Sequence, residues 1–432
     1  MKNNLRTFSL IFLALGLLAV GGYFLPPVHS RLAWRVDAVR TRIKYALNPP
    51  EKSVFTPQEQ TQVEAIVSAT LSALSPAESA SPTPQTAVPA APPTGTASPT
   101  PSATPLPAEV HLQGAVHEYQ QWNNCGPATL AMALSFWHWE GDQRDTAAVL
   151  KPNPRDKNVM PYEMAAFVNQ HTALRAVWRV GGDGDTLKRL LAAGFPVIVE
   201  KGFEGPGFDG WMGHYGLLVG YDDAAQQFWV LDSYEGPDRE FTIPYAKVFD
   251  YWPQFNHTYL LIYPPERESE ALGLLGADAD ESENYRRAAQ RASDDIFSAE
   301  TPRQQFFAWF NRGTNLAALD DYTGAAQAYD QAFAIYPQIP EDERPWRILW
   351  YQTGPYRAYF YTGRYYDVIS LADTTLNAMS EPVLEESFYW RGMAKNALGD
   401  RDGALADLRE ALRLNPNLEA AQYALDLIEA IP

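Results

Sequence analysis

The sequence predicts an α+β domain followed by an all-α region of helical repeats, with an apolar segment in front of both. Three observations predict this organisation. A segment with helical periodicity precedes a series of apolar, strand-like runs in the middle of the chain, which is typical of α+β domains. Two stretches near the C-terminus carry the same residue types at the same spacing. The length of 432 residues suits two or three domains.

Residues 1–30 have the pattern of a membrane anchor. Lys2 and Arg6 precede an apolar run from Phe8 to Leu25, and prolines end the run. This run is near the lower limit for a membrane-spanning helix and longer than most signal-peptide cores. We expect an uncleaved signal anchor that makes a single-pass cell-membrane protein with extracytoplasmic domains. A cleaved signal peptide, which would give a secreted protein, is the alternative.

Residues 31–75 are predicted to form a membrane-proximal helical stem. The helix predicted over Ser30–Leu47 is basic and amphipathic, so it could lie on an anionic membrane surface or be an ordinary solvated helix. Residues 76–108 consist mainly of Pro, Thr, Ser and Ala. Because this composition has little to bury, we expect an extended linker there.

The α+β domain is predicted over residues 109–265. Leu130, Leu134 and Trp137 recur at helical spacing and predict a helix over 126–139. Four later apolar segments are predicted as strands: Pro196–Glu200, Tyr215–Tyr221, Phe228–Asp232 and Thr258–Tyr263. The turn residues Asp222 to Ala225 join two of these strands and predict a hairpin.

Residues 268–432 are predicted to form a helical solenoid. Two stretches match at corresponding positions: Trp309, Gly313, Ala325, Tyr329, Ala332 and Pro337, then Phe388, Gly392, Ala404, Leu408, Ala411 and Pro416. This spacing fits the tetratricopeptide repeat of about 34 residues, in which small residues let paired helices approach closely. A degenerate unit around Ala358, Tyr361 and Gly363 lies between the two stretches. Further helices are expected at Tyr285–Ile296 and, as a C-terminal cap, at Ala421–Ile428.

The composition argues against several classes of function. The formal net charge is −18, whereas binding to nucleic-acid phosphates requires clustered Lys and Arg. The sequence contains no zinc-type cysteine pair and no HExxH, Walker A or GxGxxG motif. No nucleic-acid partner, metal or other cofactor is therefore expected.

Cys125 is the only cysteine and the candidate nucleophile. An exported chain usually pairs its cysteines, so a single one points to chemistry rather than structure. It lies in the sequence QQWNNCGP, residues 120–127, where a loop is expected to become a helix. Asn123 or Asn124 is predicted to cap that helix, whose positive end favours a thiolate. The alternative is a buried structural cysteine that behaves as a small hydrophobe.

His214 and Asp232 are the candidate partners of Cys125. His214 begins an apolar strand, where it could act as general base and acid. Asp232 ends the next strand, and hairpin pairing would return it to the start of the His214 strand and let it orient the imidazole. The alternatives are an ordinary strand-edge histidine and a turn-forming aspartate. His257, beside the last strand, is the rival histidine.

Gln120 is the candidate for stabilising an oxyanion. Its side-chain amide, together with the backbone N–H of Cys125, could donate hydrogen bonds to a tetrahedral intermediate. Gln121 is the alternative for this role, and an ordinary surface glutamine is the alternative for either residue.

These motifs resemble the double-glycine (bacteriocin-leader) peptidase family of the papain-like cysteine peptidase superfamily. The resemblance covers about residues 110–265 and rests on residues 120–127, the strand that begins Gly213-His214-Tyr215, and Leu231-Asp232-Ser233. It implies a papain-like α+β fold in which Cys125 is the nucleophile and His214 the base and acid. Asp232 would orient His214, and Gln120 would line the oxyanion hole. Repeats follow the domain instead of an ABC-transporter region, so leader cleavage is not carried over.

The leading hypothesis is an exported, membrane-tethered cysteine peptidase that acts on a peptide or protein substrate. The repeats, which resemble tetratricopeptide proteins over about residues 305–430, would bind a protein or peptide partner in their groove. A structural appendage is the alternative for the repeats. Two other functions are considered for the whole chain: a catalytically silent peptide-binding module, and a thiol amidase or acyl transferase acting on cell-wall peptides.

Overall fold

The computed structural model describes residues 21–22, 39–40, 43–47, 55, 57, 105–204, 210–235 and 240–430. The predicted anchor and the predicted linker lie outside these ranges, apart from residues 21–22 and 105–108. Among the described residues, no helix has the length and apolar character needed to cross a membrane. Residues 39–40 and 43–47 of the predicted basic helix are helical.

The middle of the chain combines strands and helices in an α+β arrangement. Its strands are β1 (Glu109–His111), β2 (Arg175–Arg179), β3 (Val197–Phe203), β4 (Met212–Asp222), β5 (Gln227–Leu231), β6 (Glu240–Pro244) and β7 (Tyr259–Tyr263). Its helices are α1 (Cys125–Phe136), α2 (Gln143–Leu150), α3 (Pro161–His171), α4 (Gly184–Ala192), α5 (Tyr245–Tyr251) and α6 (Glu268–Leu275). A short 3-10 helix over Trp252–Phe255 precedes β7.

The strands form one antiparallel sheet with the order β2-β7-β3-β4-β5-β6, and β1 pairs with β4. The long strand β4 pairs with β3 along one edge and with β5 along the other. The register between β4 and β5 shifts between Leu218 and Gly220, so the hairpin contains a bulge. This central position gives β4, which carries His214, paired strands on both sides.

Helices cover both faces of the sheet. On one face, Leu130 and Leu134 of α1 pack with Tyr215, Leu217 and other apolar residues of the strands. On the opposite face, leucines of α4 and residues of α5 and α6 pack against Val197, Leu218 and Val230. The alternation of side chains along each strand explains how adjacent residues reach different helical layers.

The predicted strands are present, with different ends. The strand predicted to end at Glu200 continues to Phe203, and the one predicted to begin at Tyr215 begins at Met212. The predicted hairpin through Asp222 to Ala225 is confirmed. Strands β1, β2 and β6 were not predicted, and α1 ends at Phe136 instead of residue 139. Trp137 instead caps α1, with its backbone N–H bonded to Leu134.

The C-terminal part of the chain is helical. Its helices are α7 (Glu281–Ser298), α8 (Pro302–Ala318), α9 (Tyr322–Ile335), α10 (Gly354–Tyr361), α11 (Tyr365–Ala378), α12 (Glu385–Ala397), α13 (Arg401–Leu414) and α14 (Glu419–Ala430). The helix pairs predicted from the two matching stretches are α8 with α9 and α12 with α13. The degenerate unit is α10 with α11, and the predicted helix before the repeats and the capping helix are α7 and α14. The predicted close approach within the first pair occurs where Gly313 lies against the ring of Tyr329.

The sheet-containing and helical parts share an apolar core. The ring of Trp211, just before β4, is completely buried and lies 5.8 Å from Phe307 of α8 and 5.9 Å from Tyr351 between centroids. Polar contacts join the same parts, since Asn256 Nδ2 donates to Asn315 Oδ1 at 2.7 Å. The helical part is therefore packed directly against the segment that leads into the His214 strand.

Described residues of the predicted stem contact the helical part as well. Phe55 is only 7% exposed, and its ring lies 5.1 Å from Phe333 and 6.0 Å from Tyr359 between centroids. Tyr45 meets Trp346 edge to face at 5.9 Å. These contacts were not predicted: for the helix over Ser30–Leu47, which includes Tyr45, only a membrane surface or solvent was expected.

Candidate active site

Cys125 is the first residue of α1, where the loop turns into the helix. Asn123 has a left-handed backbone conformation with φ of 53°, which asparagine adopts more readily than most residues. Asn124 occupies the N-cap position, but its side chain makes no capping hydrogen bond. The prediction of a side-chain cap from Asn123 or Asn124 is therefore wrong: Asn123 Nδ2 donates to the Asp156 carbonyl instead, and the side chain of Asn124 is bonded to Gln143 and Lys151.

Two buried side chains hold that loop. Gln143 of α2 accepts a hydrogen bond from the backbone N–H of Gln121 at 2.7 Å and donates to the Tyr119 carbonyl at 2.8 Å. Lys151 Nζ donates to the Asn123 carbonyl at 2.7 Å and to Asn124 Oδ1 at 3.3 Å. These contacts fix the backbone before Cys125 and bring a lysine ammonium close to its sulfur.

The imidazole of His214 joins Cys125 to Asp232. Its Nε2 lies 2.7 Å from Asp232 Oδ1, and the ring is also hydrogen-bonded to the Cys125 thiol. Because Nε2 is engaged by the carboxylate, Nδ1 is the ring nitrogen left for the sulfur. Cys125 is partly exposed, whereas His214 is 5% exposed and Asp232 is fully buried. Cys125 is thus the most exposed residue of the three.

Asp232 is fixed from several directions. Its Oδ1 also accepts hydrogen bonds at 2.8 Å from the backbone N–H groups of Tyr234 and Glu235. Its backbone carbonyl lies 2.8 Å from His117 Nε2. Its Oδ2 is buried and has no hydrogen-bond partner within the described part of the chain. This network orients Oδ1 towards His214, which in turn fixes the orientation of the imidazole.

The electrostatics favour a thiolate–imidazolium pair. Burial raises the pKa of the Cys125 thiol, but the hydrogen bond and charge of His214, the Lys151 ammonium and the Gly126 N–H outweigh it and lower the pKa overall. Burial lowers the pKa of His214, but the Asp232 carboxylate and the bond to Cys125 raise it to about 9. The lowered thiol pKa and the raised imidazole pKa both favour the proton on His214 over the proton on Cys125.

Gln120 is hydrogen-bonded to Ser233, the residue that follows Asp232. The backbone N–H of Gln120 donates to the Ser233 carbonyl at 2.9 Å, and Ser233 Oγ donates to Gln120 Oε1 at 2.9 Å. With Oε1 occupied in this way, the side-chain NH₂ group is oriented away from Ser233. Gln121 is exposed.

His257 lies in a different environment. It is buried, its ring lies 5.2 Å from Trp252, and its backbone carbonyl accepts from Gly182 at the far end of β2. Burial and then the charge of Arg291 lower its pKa to about 3. The structure thus pairs His214 with Cys125 and places His257 in the core, as a neutral side chain.

Comparison with known proteins agrees with the resemblance found in the sequence. Residues 113–260 match the model of the Peptidase_C39 like family. This part of the chain is a C39-like domain. Residues 385–418, over α12 and α13, match the tetratricopeptide repeat model.

Two solved structures illustrate what the C39-like domain is similar to. A protein from Bacillus anthracis described as a C39-like peptidase is 17% identical, with a TM-score of 0.30, and the match covers 36% of this chain and 96% of that one. Xylellain, a cysteine protease from Xylella fastidiosa, is 20% identical, with a TM-score of 0.24 and coverage of 37% and 87%. No curated protein matches the chain.

The sequence analysis missed several residues that shape the C39-like site. Gln143 and Lys151 support the nucleophile loop, and Lys201 and Glu235 form a charged pair beside Asp232. The only signal that the sequence offers for Lys201 is its place just beyond the apolar run Val197–Val199, after one intervening charged residue, Glu200. Among the described residues, no group of His, Cys, Asp and Glu side chains could hold a metal ion.

Proposed function

We propose that the C39-like domain is a papain-like cysteine peptidase that cleaves peptide bonds with Cys125, His214 and Asp232. The observation that carries the proposal is the single imidazole hydrogen-bonded to both the Cys125 thiol and the Asp232 carboxylate. A nucleophile, a base and a group that orients the base in this order constitute the arrangement used for acyl transfer. The match to the Peptidase_C39 like family supports the same reaction class.

The reaction proceeds in two steps. The Cys125 thiolate attacks the peptide carbonyl carbon, a C–S bond forms, and the imidazolium of His214 gives its proton to the leaving amine as the C–N bond breaks. Water then attacks the thioester while His214 takes one of its protons. The C–S bond then breaks and releases the carboxylic acid while the proton stays on His214, so the thiolate–imidazolium pair is restored.

Gln120 is the proposed side-chain donor to the oxyanion, together with the backbone N–H of Cys125. The bond between Ser233 Oγ and Gln120 Oε1 supports this role, because it leaves the NH₂ group of the amide as the free end. The exposure of Gln121, and the use of its backbone to hold the loop, favour Gln120 over Gln121.

The helical part is proposed to bind a protein or peptide partner as a tetratricopeptide solenoid. The family match over α12 and α13 and the two further helix pairs support this reading. Its packing against Trp211, close to His214, would bring a bound partner near the peptidase site. Export and tethering by residues 1–30 complete the proposal and rest on the basic and apolar pattern of those residues.

A peptide that carries an electrophilic chloromethyl ketone tests the proposed reaction. After incubation with the full chain, mass spectrometry of the digested protein should place one adduct on Cys125, the only cysteine, and none on the seven histidines. The adduct should be lost in His214→Ala and retained in His257→Gln, the matched control. Simple iodoacetamide, which needs no peptide recognition, reports separately whether the thiol is accessible.

The outcomes separate the candidate functions. Labelling with the peptide probe, together with cleavage of unmodified peptides, supports a peptidase. Peptide binding without labelling would indicate a silent binding module. Labelling together with hydrolysis or transfer confined to peptidoglycan fragments would indicate a cell-wall amidase or acyl transferase. If Cys125→Ala still cleaved peptides, the proposal would be wrong.

A further inference from the structure

A second charged pair is buried next to His214 and Asp232. Lys201 of β3 is the direct cross-strand partner of His214 in the antiparallel pairing of β3 with β4. Side chains of directly opposed residues lie on the same face of a sheet and close to one another. Lys201 is only 4% exposed, so its charge is carried inside the protein beside the imidazole.

The partner of Lys201 is Glu235, four residues after the β5 strand ends. Lys201 Nζ lies 2.9 Å from Glu235 Oε2, and the side chain of Glu235 is 13% exposed. The other oxygen, Oε1, lies 3.1 Å from Nζ of Lys247, which is 45% exposed. A buried ammonium is costly unless it is paired, and Glu235 provides the pair.

The same residue, Glu235, also contacts Asp232 directly. Its backbone N–H donates to Asp232 Oδ1 at 2.8 Å, the atom that also contacts His214 Nε2. The backbone of Glu235 therefore fixes the carboxylate of Asp232, while its side chain fixes the ammonium of Lys201. One short segment after β5 controls both groups.

Gly216 shows how close the lysine and the aspartate are. A Cβ at Gly216 would lie 3.7 Å from Asp232 Oδ2 and 3.9 Å from Lys201 Cε. The lysine stem and the carboxylate oxygen that has no hydrogen-bond partner thus converge on the same glycine of β4.

We propose that Lys201, held by Glu235, is a positioning residue for the proposed reaction: its ammonium keeps Asp232 a carboxylate and limits how tightly His214 holds its proton. This inference rests on the proposed function of Cys125, His214 and Asp232. A general acid must release its proton to the leaving amine, and Asp232 alone would make the imidazolium a weaker acid. A positive charge across the strand pair acts in the opposite direction.

The charge balance around His214 is consistent with this role. The groups that act on the imidazole are Cys125 from α1, Lys201 from β3 and Asp232 after β5. Glu235 pairs with Lys201, and Lys151 acts on the sulfur of Cys125. Burial raises the pKa of Asp232, but His214 and then Lys201 lower it well below its usual range. Glu200, which precedes Lys201 on β3, is buried on the opposite face of the sheet, beside Tyr215 and near Cys125.

The test is the titration of His214 in the full chain, followed by NMR of ring-labelled histidine and assigned with a His214→Gln variant. In Lys201→Met we expect the midpoint to rise by roughly one pH unit, because a nearby positive charge is removed. In Glu235→Gln we expect it to fall, because the ammonium of Lys201 is no longer neutralised. Lys201→Arg should keep the wild-type midpoint, and Lys188→Met is the control that should leave it unchanged, because Lys188 pairs with Asp223 at the opposite end of the β4–β5 hairpin.

Opposite shifts in the two variants are the decisive result, since a general loosening of the fold would move both midpoints in the same direction. If folded Lys201→Met and Glu235→Gln both kept the wild-type midpoint, the inference would be wrong. If Lys201→Met does not fold, the inference is still tested by the midpoint of Glu235→Gln, which should fall, and that of Lys201→Arg, which should not change. The titration needs no turnover, so failure of the peptide probe to label Cys125 would overturn the proposed function without affecting this measurement.

Discussion

Trp211 and Tyr351 meet edge to face with ring centroids 5.9 Å apart, although one leads into strand β4 and the other belongs to the helical part of the chain. Trp211 also stacks on Phe255 at 5.4 Å, and its backbone carbonyl accepts from Arg347 Nη1 at 2.9 Å. His214 follows Trp211 by three residues. The geometry at the candidate site therefore depends on packing against the helical part.

Trp211→Ala should destabilise both parts of the molecule. The ring is fully buried, so its removal leaves a cavity, and we expect the free energy of unfolding to fall by about 3–5 kcal/mol. Chemical denaturation followed by circular dichroism measures this loss. Phe297→Ala is the control, because Phe297 is 88% exposed and its truncation should have little effect. A normal unfolding midpoint for Trp211→Ala would contradict the role of this contact.

Asp232→Asn should impair peptide cleavage without unfolding the protein. The amide oxygen can keep the hydrogen bonds to Tyr234 and Glu235, but the negative charge that stabilises the His214 imidazolium is lost. We expect kcat/KM to fall by about 100-fold to 10,000-fold, the range for loss of general acid–base catalysis. Asp222→Asn, at the opposite end of the β4–β5 hairpin, is the matched control. Equal activity of the two variants would argue against a triad.

Replacement of the two adjacent glutamines should give unequal results. Gln120→Ala removes the proposed oxyanion donor, and we expect kcat to fall by about 100-fold to 1,000-fold with little change in KM. Gln121→Ala should be close to wild type, because the hydrogen bonds of Gln121 are made by its backbone: its N–H donates to Gln143 Oε1 and its carbonyl accepts from the Asn124 N–H. Steady-state kinetics on one peptide substrate distinguish the two. A larger loss for Gln121→Ala would reverse the assignment.

The activity should depend on pH through a bell-shaped profile of kcat/KM. The lowered thiol pKa moves the acidic limb below the range of an ordinary cysteine, and the basic limb should follow the His214 imidazolium, near pH 9. Lys151→Met removes a charge that favours the thiolate, so its acidic limb should move to higher pH. If the acidic limb of Lys151→Met lay at the wild-type pH, Lys151 would not contribute to the lowered pKa of the Cys125 thiol.

The free energy of unfolding should depend on pH through His214 and Asp232. The folded pKa of His214, about 9, lies above its unfolded value, so its contribution is complete below the unfolded pKa and is lost as pH rises through 9. The folded pKa of Asp232 is depressed, so its contribution is present above the unfolded pKa and is lost as pH falls through the folded one. Denaturant midpoints in Asp232→Asn should lose much of this dependence at both ends.

Much of the fold follows from local patterns in the sequence. The helix pairs of the repeats and the β4–β5 hairpin depend on spacings of a few residues, which the sequence displays directly. Strand β6 could not be recognised, because Pro244 and the short length of the strand hide its pattern. Strand β2, with the sequence RAVWR, is polar at both ends, and it forms a strand because it pairs along its length with β7.

The residues of the candidate site could also be predicted only in part. Cys125, His214 and Asp232 could be chosen because a loop–helix junction and a hairpin bring them together, and the structure places them in contact. Lys201 could not be predicted as a site residue, because the predicted strand ended at Glu200. In the structure, pairing with the neighbouring strands extends this strand to Phe203. The role of Glu235 depends on a backbone turn after β5, which residue types do not reveal.

The contacts of Phe55 have a consequence for the topology of the chain. Phe55 is held between Phe333 and Tyr359, and Pro107 is held by its carbonyl, which accepts from the Tyr221 hydroxyl at 2.7 Å. Residues 55 and 107 are thus both attached to the folded part of the molecule, so the polypeptide between them is tethered at both ends. A single proteolytic cleavage between residues 55 and 107 would produce two fragments that stay associated until the contacts of Tyr45 and Phe55 are broken.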